Sequence, residues 1–151
     1  MQIAPLAQAL KEVTASEPAL ADLLAGGLHY GTRAGSSDNP FGLLTIEETE
    51  REHNSSGVDL VTYLVTLSIH LRTVGAKSVV EIDRLLGLFR RYWSRLAALP
   101  TLDSDLAEFV SIHPVPSSAI GENAEEDLGQ DILLGVTSWT IKLAEHQPAL
   151  T

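Results

Sequence analysis

From Val61 to Leu71 every second residue is apolar: Val61, Tyr63, Val65, Leu67, Ile69 and Leu71. Thr62, Thr66, Ser68 and His70 lie between them, and Leu64 is the exception. A period of two over this length predicts a strand across 58–71 with one buried face and one that meets water or a partner. Residues 41–52 read the same way, with Leu44, Ile46 and Glu48 on one side and Leu43, Thr45 and Glu47 on the other. The short polar link between these strands predicts a hairpin.

The period changes to 3.6 after Gly75. Val79, Ile82, Leu86, Phe89, Trp93 and Leu96 form a stripe at spacings of three and four, widened by Leu85, Leu88 and Tyr92. This predicts a long helix over 75–99, opened by Ser78 with Glu81 three places on and closed by Pro100. Gly87 inside it costs about 1 kcal/mol relative to alanine, which a close approach to the sheet would rationalise. A first helix is predicted over 3–13. A second starts at Ser16–Pro18 with Ser16 as its cap and stops at Gly26–Gly27; one broken helix over 4–25 is the alternative.

Residues 28–42, rich in glycine, serine, Asp38, Asn39 and Pro40, predict a long irregular loop. Residues 106–118 predict a short edge strand, because Pro114 and Pro116 each remove a ladder donor. An acidic loop follows at 120–130, then a last strand over 131–145 and a tail, "HQPALT". In the last strand Leu134 and Val136 have the opposite parity to Trp139, Ile141 and Leu143. Either a bulge near Gly135–Ser138 changes the phase or the early part is buried on both sides.

Together these elements predict one α+β domain over 1–151. Its core is a mainly antiparallel sheet of about four strands, covered on one face by the long helix and the N-terminal helices.

Composition narrows the function. The chain holds 20 acidic and 10 basic residues, for a formal net charge of -10, which argues against tight nonspecific nucleic-acid binding. With no cysteine there is no disulfide and no thiolate ligand or nucleophile. No apolar run approaches a membrane span, and the N-terminus lacks the features of a signal peptide, so a cytoplasmic setting without a membrane partner is expected. The sequon at Asn54 then carries little weight.

Catalytic patterns are weak. Glu47, Glu48, Glu50 and Glu52 are a candidate carboxylate run, better read as a solvated strand end. His29, His53, His70, His113 and His146 show no metal-ligand spacing. No serine sits in a nucleophile elbow, and "AGSSDNP" lacks the lysine of a phosphate loop. The dispersed set His29, Asp38, Glu48 and His53 is the alternative for a hydrolase. Arg84, Arg91 and Arg95 share a helix face with Arg90 beside it; they edge the apolar stripe and suit acids on this chain or a neighbour.

The layout resembles the tail-terminator and tail-completion (minor tail) proteins of tailed bacteriophages over about residues 3–145. Four pieces carry the resemblance. They are "PALADLLAGGLHYG" leading into a loop, the entry "SSDNPFGLLTIEE", the strand "VDLVTYLVTLSIHLRT" followed at once by "SVVEIDRLLGLFRRYW", and the closing "TSWTIKLAE". The resemblance implies a non-enzymatic structural subunit that needs no cofactor. It implies a homo-oligomeric, hexameric ring that caps the tail tube and meets tail-tube or head-connector proteins. DNA would only pass through the lumen. Glu47, Glu48 and Glu50 would then form an acidic surface. Arg84, Arg90, Arg91, Arg95, Thr62, Thr66, Ser68 and His70 would contribute to the subunit interface. A small non-catalytic α+β binding or regulatory domain is the alternative.

Overall fold

The strictly alternating segment becomes the central strand of the sheet. The computed structural model describes residues 2–21, 27–30, 40–54, 56–72, 77–103, 105–125 and 130–146. Its elements are α1 (Ile3–Ala15), α2 (Pro18–Ala21), β1 (Leu28–Tyr30), β2 (Phe41–His53), β3 (Val58–Arg72), α3 (Lys77–Trp93), β4 (Ala107–Glu125) and β5 (Gln130–His146). Among the described residues the strands form one sheet in the order β1-β2-β3-β5-β4.

β2 and β3 pair antiparallel as a hairpin, as do β4 and β5, and β3 pairs antiparallel with β5. β3 and β4 therefore run the same way on either side of β5, and α3 crosses one face to join them. The α+β architecture and the mainly antiparallel sheet agree with the sequence. The fifth strand does not: Leu28–Tyr30, expected in a loop, pairs parallel with Gly42–Leu44. Residues 31–39 of that expected loop lie outside the described residues.

One face of the sheet makes the core. Val61, Tyr63, Val65, Leu67 and Ile69 of β3 are fully buried, as are Trp139, Ile141 and Leu143 of β5. Ile82, Leu85, Leu86, Phe89 and Trp93 of α3 pack on them with Leu6 and Leu10 of α1. The ends of the expected stripe fall outside this core. Val79 is exposed, and Leu96 lies beyond the helix, which closes at Trp93 rather than near residue 99. Leaving the helix early lets Leu99 and Leu102 turn into the core. Ser94 there accepts a hydrogen bond from Trp139 Nε1 at 3.1 Å. The expected cap at Ser78 lies outside the described side chains. At the other cap, Ser16 Oγ donates back to Val13 O at 2.8 Å and so closes α1 instead of opening α2. Glu17 Oε1 takes the Ala19 N–H.

β5 keeps a single phase, against both expectations for it. Its ladder with β3 runs without a shift from His146 to Ile132. Leu133, Gly135, Thr137 and Trp139 all face the helices, while Leu134 and Val136 face the other way. Two inward positions are simply not apolar. Thr137 is there because its Oγ1 receives Arg90 Nη1 at 2.6 Å. Gly135 is there because α3 comes closest at that point: a Cβ would lie 2.9 Å from Leu86 Cδ1 and 3.1 Å from Ile82 Cγ1. The close approach expected at Gly87 is thus made at Gly135, and Gly87 itself faces open space. Gly135→Val is expected to lose about 2 kcal/mol by overpacking, whereas Gly87→Ala gains up to about 1 kcal/mol. Urea titrations of both variants check this; equal midpoints would contradict the packing described.

The irregularities lie in the neighbouring strands. β4 shifts register at Phe109/Ser111 and again at Pro114/Ser118, and it is an edge strand, as its prolines require. It also runs on to Glu125, so half of the expected acidic loop is strand. β2 shifts between Glu48 and Glu50.

Candidate functional site

The bulge in β2 decides which of its charges face which layer. Leu44, Ile46 and Glu48 point to the helix side, opposite Leu67, Val65 and Tyr63. Thr49 is then left over, with its Oγ1 donating to Thr62 O at 3.2 Å. The extra residue returns Arg51 and His53 to the side of Glu48, opposite Val61 and Asp59. Glu47, Glu50 and Glu52 point the other way, opposite Leu64, Thr62 and Leu60, and are exposed. The acidic surface expected from Glu47, Glu48 and Glu50 is therefore divided: Glu48 turns under the sheet, and Glu52 takes its place in the column.

On the helix side the turned charges form a compact ionic network. Arg51 Nη1 binds Asp59 Oδ2 at 2.8 Å, its Nε and Nη2 bind Glu48 Oε1, and Nη2 reaches Glu145 Oε2 at 3.4 Å. Asp59 and Glu145 are cross-strand partners, only 3% and 5% exposed. Tyr63 Oη donates to Glu145 Oε2 at 2.6 Å and accepts from the Gln2 backbone N–H at 3.1 Å. His53 Nδ1 lies 3.0 Å from Asp59 Oδ1. The Arg51 guanidinium supplies positive charge between two buried carboxylates that sit side by side. Hydrogen bonds from Arg51 to Glu48 and Asp59 hold its proton more tightly than usual. Burial, followed by the bond to Glu145, raises the Tyr63 hydroxyl above the ordinary tyrosine value.

The Tyr63 shift sets a pH dependence. The folded state keeps the phenol protonated where the unfolded chain already ionises, so this contribution is complete below about pH 10 and is lost as pH rises through the folded value. Tyr63→Phe is expected to flatten the alkaline limb of stability measured between about pH 9 and 11. An unchanged alkaline limb would contradict it.

No helix among the described residues covers the opposite face of the sheet, and its positions on β3 and β5 are half-buried. Thr62, Thr66, Ser68 and His70 all lie there, as the alternation requires. Thr66 and Ser138 hydroxyls meet at 3.0 Å across the strands, and His70 stacks on Phe41 with ring centroids 4.7 Å apart. Leu60, Leu64, Leu134 and Val136 sit among these polar groups, so the surface is mixed rather than plainly polar.

The four arginines of α3 and its C-terminal turn separate into three settings. Arg84 pairs with Glu81 one turn earlier, at 2.9 Å. Arg90 turns inward: besides Thr137 it binds Val115 O at 3.0 Å and Ser118 Oγ at 3.3 Å, fastening the bulged part of β4 to the helix. Arg91 and Arg95 are exposed and flank a groove of about 260 Å³ between α2 and α3. Leu20, Leu88, Tyr92 and Leu96 form its apolar wall, and Glu17 also lines it.

The dispersed hydrolase set is not assembled. His29 is level with Leu43 and His53 ends the same strand ten residues on, which places them roughly 33 Å apart. Glu48 is held by Arg51, and Asp38 lies outside the described residues. Among the described residues no group of three or more His, Asp or Glu side chains could hold a metal ion. No helix among them is long and apolar enough to cross a membrane.

The network of Arg51, Asp59, Tyr63 and Glu145 escapes motif reading because up to 94 residues separate its members. Its one signal is parity. Asp59 continues the buried phase of Val61 and Tyr63, and Glu145 that of Ile141 and Leu143. A charge at an inward position demands a partner. The chain matches no protein-family model and no curated protein.

Proposed function

We propose that the chain is a structural subunit of a phage or phage-like tail or neck, forming a ring that ends the tail tube and joins it to the head. The sheet face away from the helices carries this reading. A sheet with one face sealed by helices and the other a mixture of hydroxyl, histidine and aliphatic side chains is built to meet another protein. Thr62, Thr66, Ser68 and His70 are the subunit contacts proposed on it, and Arg84, Arg91 and Arg95 those on the helix layer. Arg90 acts from within the subunit, by holding β4. The order helix, hairpin, helix, hairpin supports the same reading through its resemblance to tail-terminator proteins. The net charge of -10 suits a ring whose lumen passes DNA, since like charge keeps the DNA from adhering. No cofactor or catalytic step enters this role. The subunit acts in the cytoplasm of the producing cell and then in the particle, with tail-tube or connector proteins as partners.

The groove between α2 and α3 favours a second reading, a small non-catalytic binding domain whose ligand is a short peptide. Solution mass separates the two. Light scattering behind a sizing column, with negative-stain electron microscopy of the peak, is expected to give a discrete ring near six copies. A single-chain mass at every concentration would move the assignment to the binding domain.

A further inference from the structure

We infer that the groove between α2 and α3 receives the acidic column of β2 from a second copy of the chain, so that subunits join head to tail. This inference rests on the ring reading above. It starts from two exposed sets of charge that the chain does not neutralise itself. Among the described residues, Arg91 and Arg95 have no ion pair, and neither do Glu47, Glu50 and Glu52. The two sets cannot meet within one molecule. The carboxylates are on the face of β2 away from the helices, and the arginines are on the helix layer that covers the opposite face.

The two surfaces match in charge and in composition. Same-face residues on a strand repeat about every 6.6 Å, and the bulge lets Glu47, Glu50 and Glu52 follow one another in that column. Arg91 lies in the last turn of α3 and Arg95 in the turn that follows it, and both line the same groove. Leu60 and Leu64 stand beside the carboxylates on β3, as Leu88, Tyr92 and Leu96 stand beside the arginines. The acidic column would face the cations while the leucines enter the apolar wall. From Thr45 onward β2 has no strand on its β1 side among the described residues.

The overall charge makes the match selective. With 20 acidic residues against 10 basic ones, most encounters between copies are repulsive. Arg51, Arg84 and Arg90 already have partners within the chain. The groove offers an acidic neighbour two adjacent cations that have no ion pair among the described residues. Because the two surfaces differ, the contact is heterologous and repeats from copy to copy until the rotation closes it into a ring.

Charge exchange tests this directly. The double variants R91E/R95E and E47R/E50R change only exposed side chains. Each alone is expected to fall to the single-chain mass by light scattering at concentrations where the natural protein assembles. An equimolar mixture is expected to regain the assembled mass, since each variant's altered surface complements the other's and the unaltered surfaces also match. Either variant keeping the natural mass, or a mixture that stays at the single-chain mass, would overturn the contact while leaving a ring formed through other surfaces intact. A natural protein that is itself a single chain at all concentrations would overturn the ring and this contact together.

Discussion

Replacing Arg51 by methionine is expected to cost about 3–5 kcal/mol of folding stability, because it leaves buried carboxylates without their shared cation. Asp59 and Glu145 face each other across β3 and β5 at 3% and 5% exposure, and Glu48 joins them from β2. One guanidinium serves all three strands. Lysine would not replace it, since a single ammonium lacks the fork that binds Asp59 through one nitrogen and Glu48 and Glu145 through another. The loss arises from removing positive charge beside buried carboxylates rather than from lost packing. Adding Asp59→Asn and Glu145→Gln to the methionine variant should therefore recover a large part of it. Urea unfolding at neutral pH reads both effects. A loss under about 1 kcal/mol for Arg51→Met would mean that the carboxylates reach water and that the network is peripheral.

That network also marks how far sequence reading reached. The alternation of β3 foretold its central place and its buried face because strand side chains repeat every two residues without exception. The stripe in α3 foretold its packing for the same kind of reason. Where the reading went astray, a single tertiary contact had displaced local pattern. In β5 the helix approach required Gly135, and the inward turn of Arg90 required Thr137, so an unbroken strand looked out of phase. The bulge that matters is in β2, where nothing in "IEETERE" signals which residue is extra. β1 is three residues long, too short for any period to show. The arginines looked like one surface, and only the course of β4 made Arg90 different from Arg91 beside it. That Thr62, Thr66, Ser68 and His70 share the face away from the helices was legible from the alternation. The groove was not, because α2 and the end of α3 meet only in three dimensions.

Trp93→Ala is expected to be the other severe change, at about 3–5 kcal/mol. Trp93 is fully buried at the junction of both helical elements and the sheet. Its ring stands edge-on to Phe89 at 5.7 Å and lies 4.6 Å from Trp139 on β5. Its Nε1 donates to Thr14 Oγ1 at 3.0 Å, and that hydroxyl donates in turn to Leu10 O at 2.7 Å, so the indole also fixes the end of α1. Alanine removes the volume and the donor together; phenylalanine keeps most of the volume and is expected to lose less than half as much. Trp139 remains as the fluorescence reporter for urea unfolding of both variants. Equal losses would place the effect in the hydrogen bond, and losses under about 1 kcal/mol in both would contradict the packing. The consequence extends to the groove. Tyr92, the preceding residue, lies in its wall and donates from Oη to Val13 O at 3.4 Å, next to the hydroxyl that Trp93 binds. A variant that loosens α1 from α3 at Trp93 therefore disturbs the surface proposed to receive the neighbouring copy. Trp93→Phe should then weaken assembly less than R91E/R95E does, because it leaves both arginines in place.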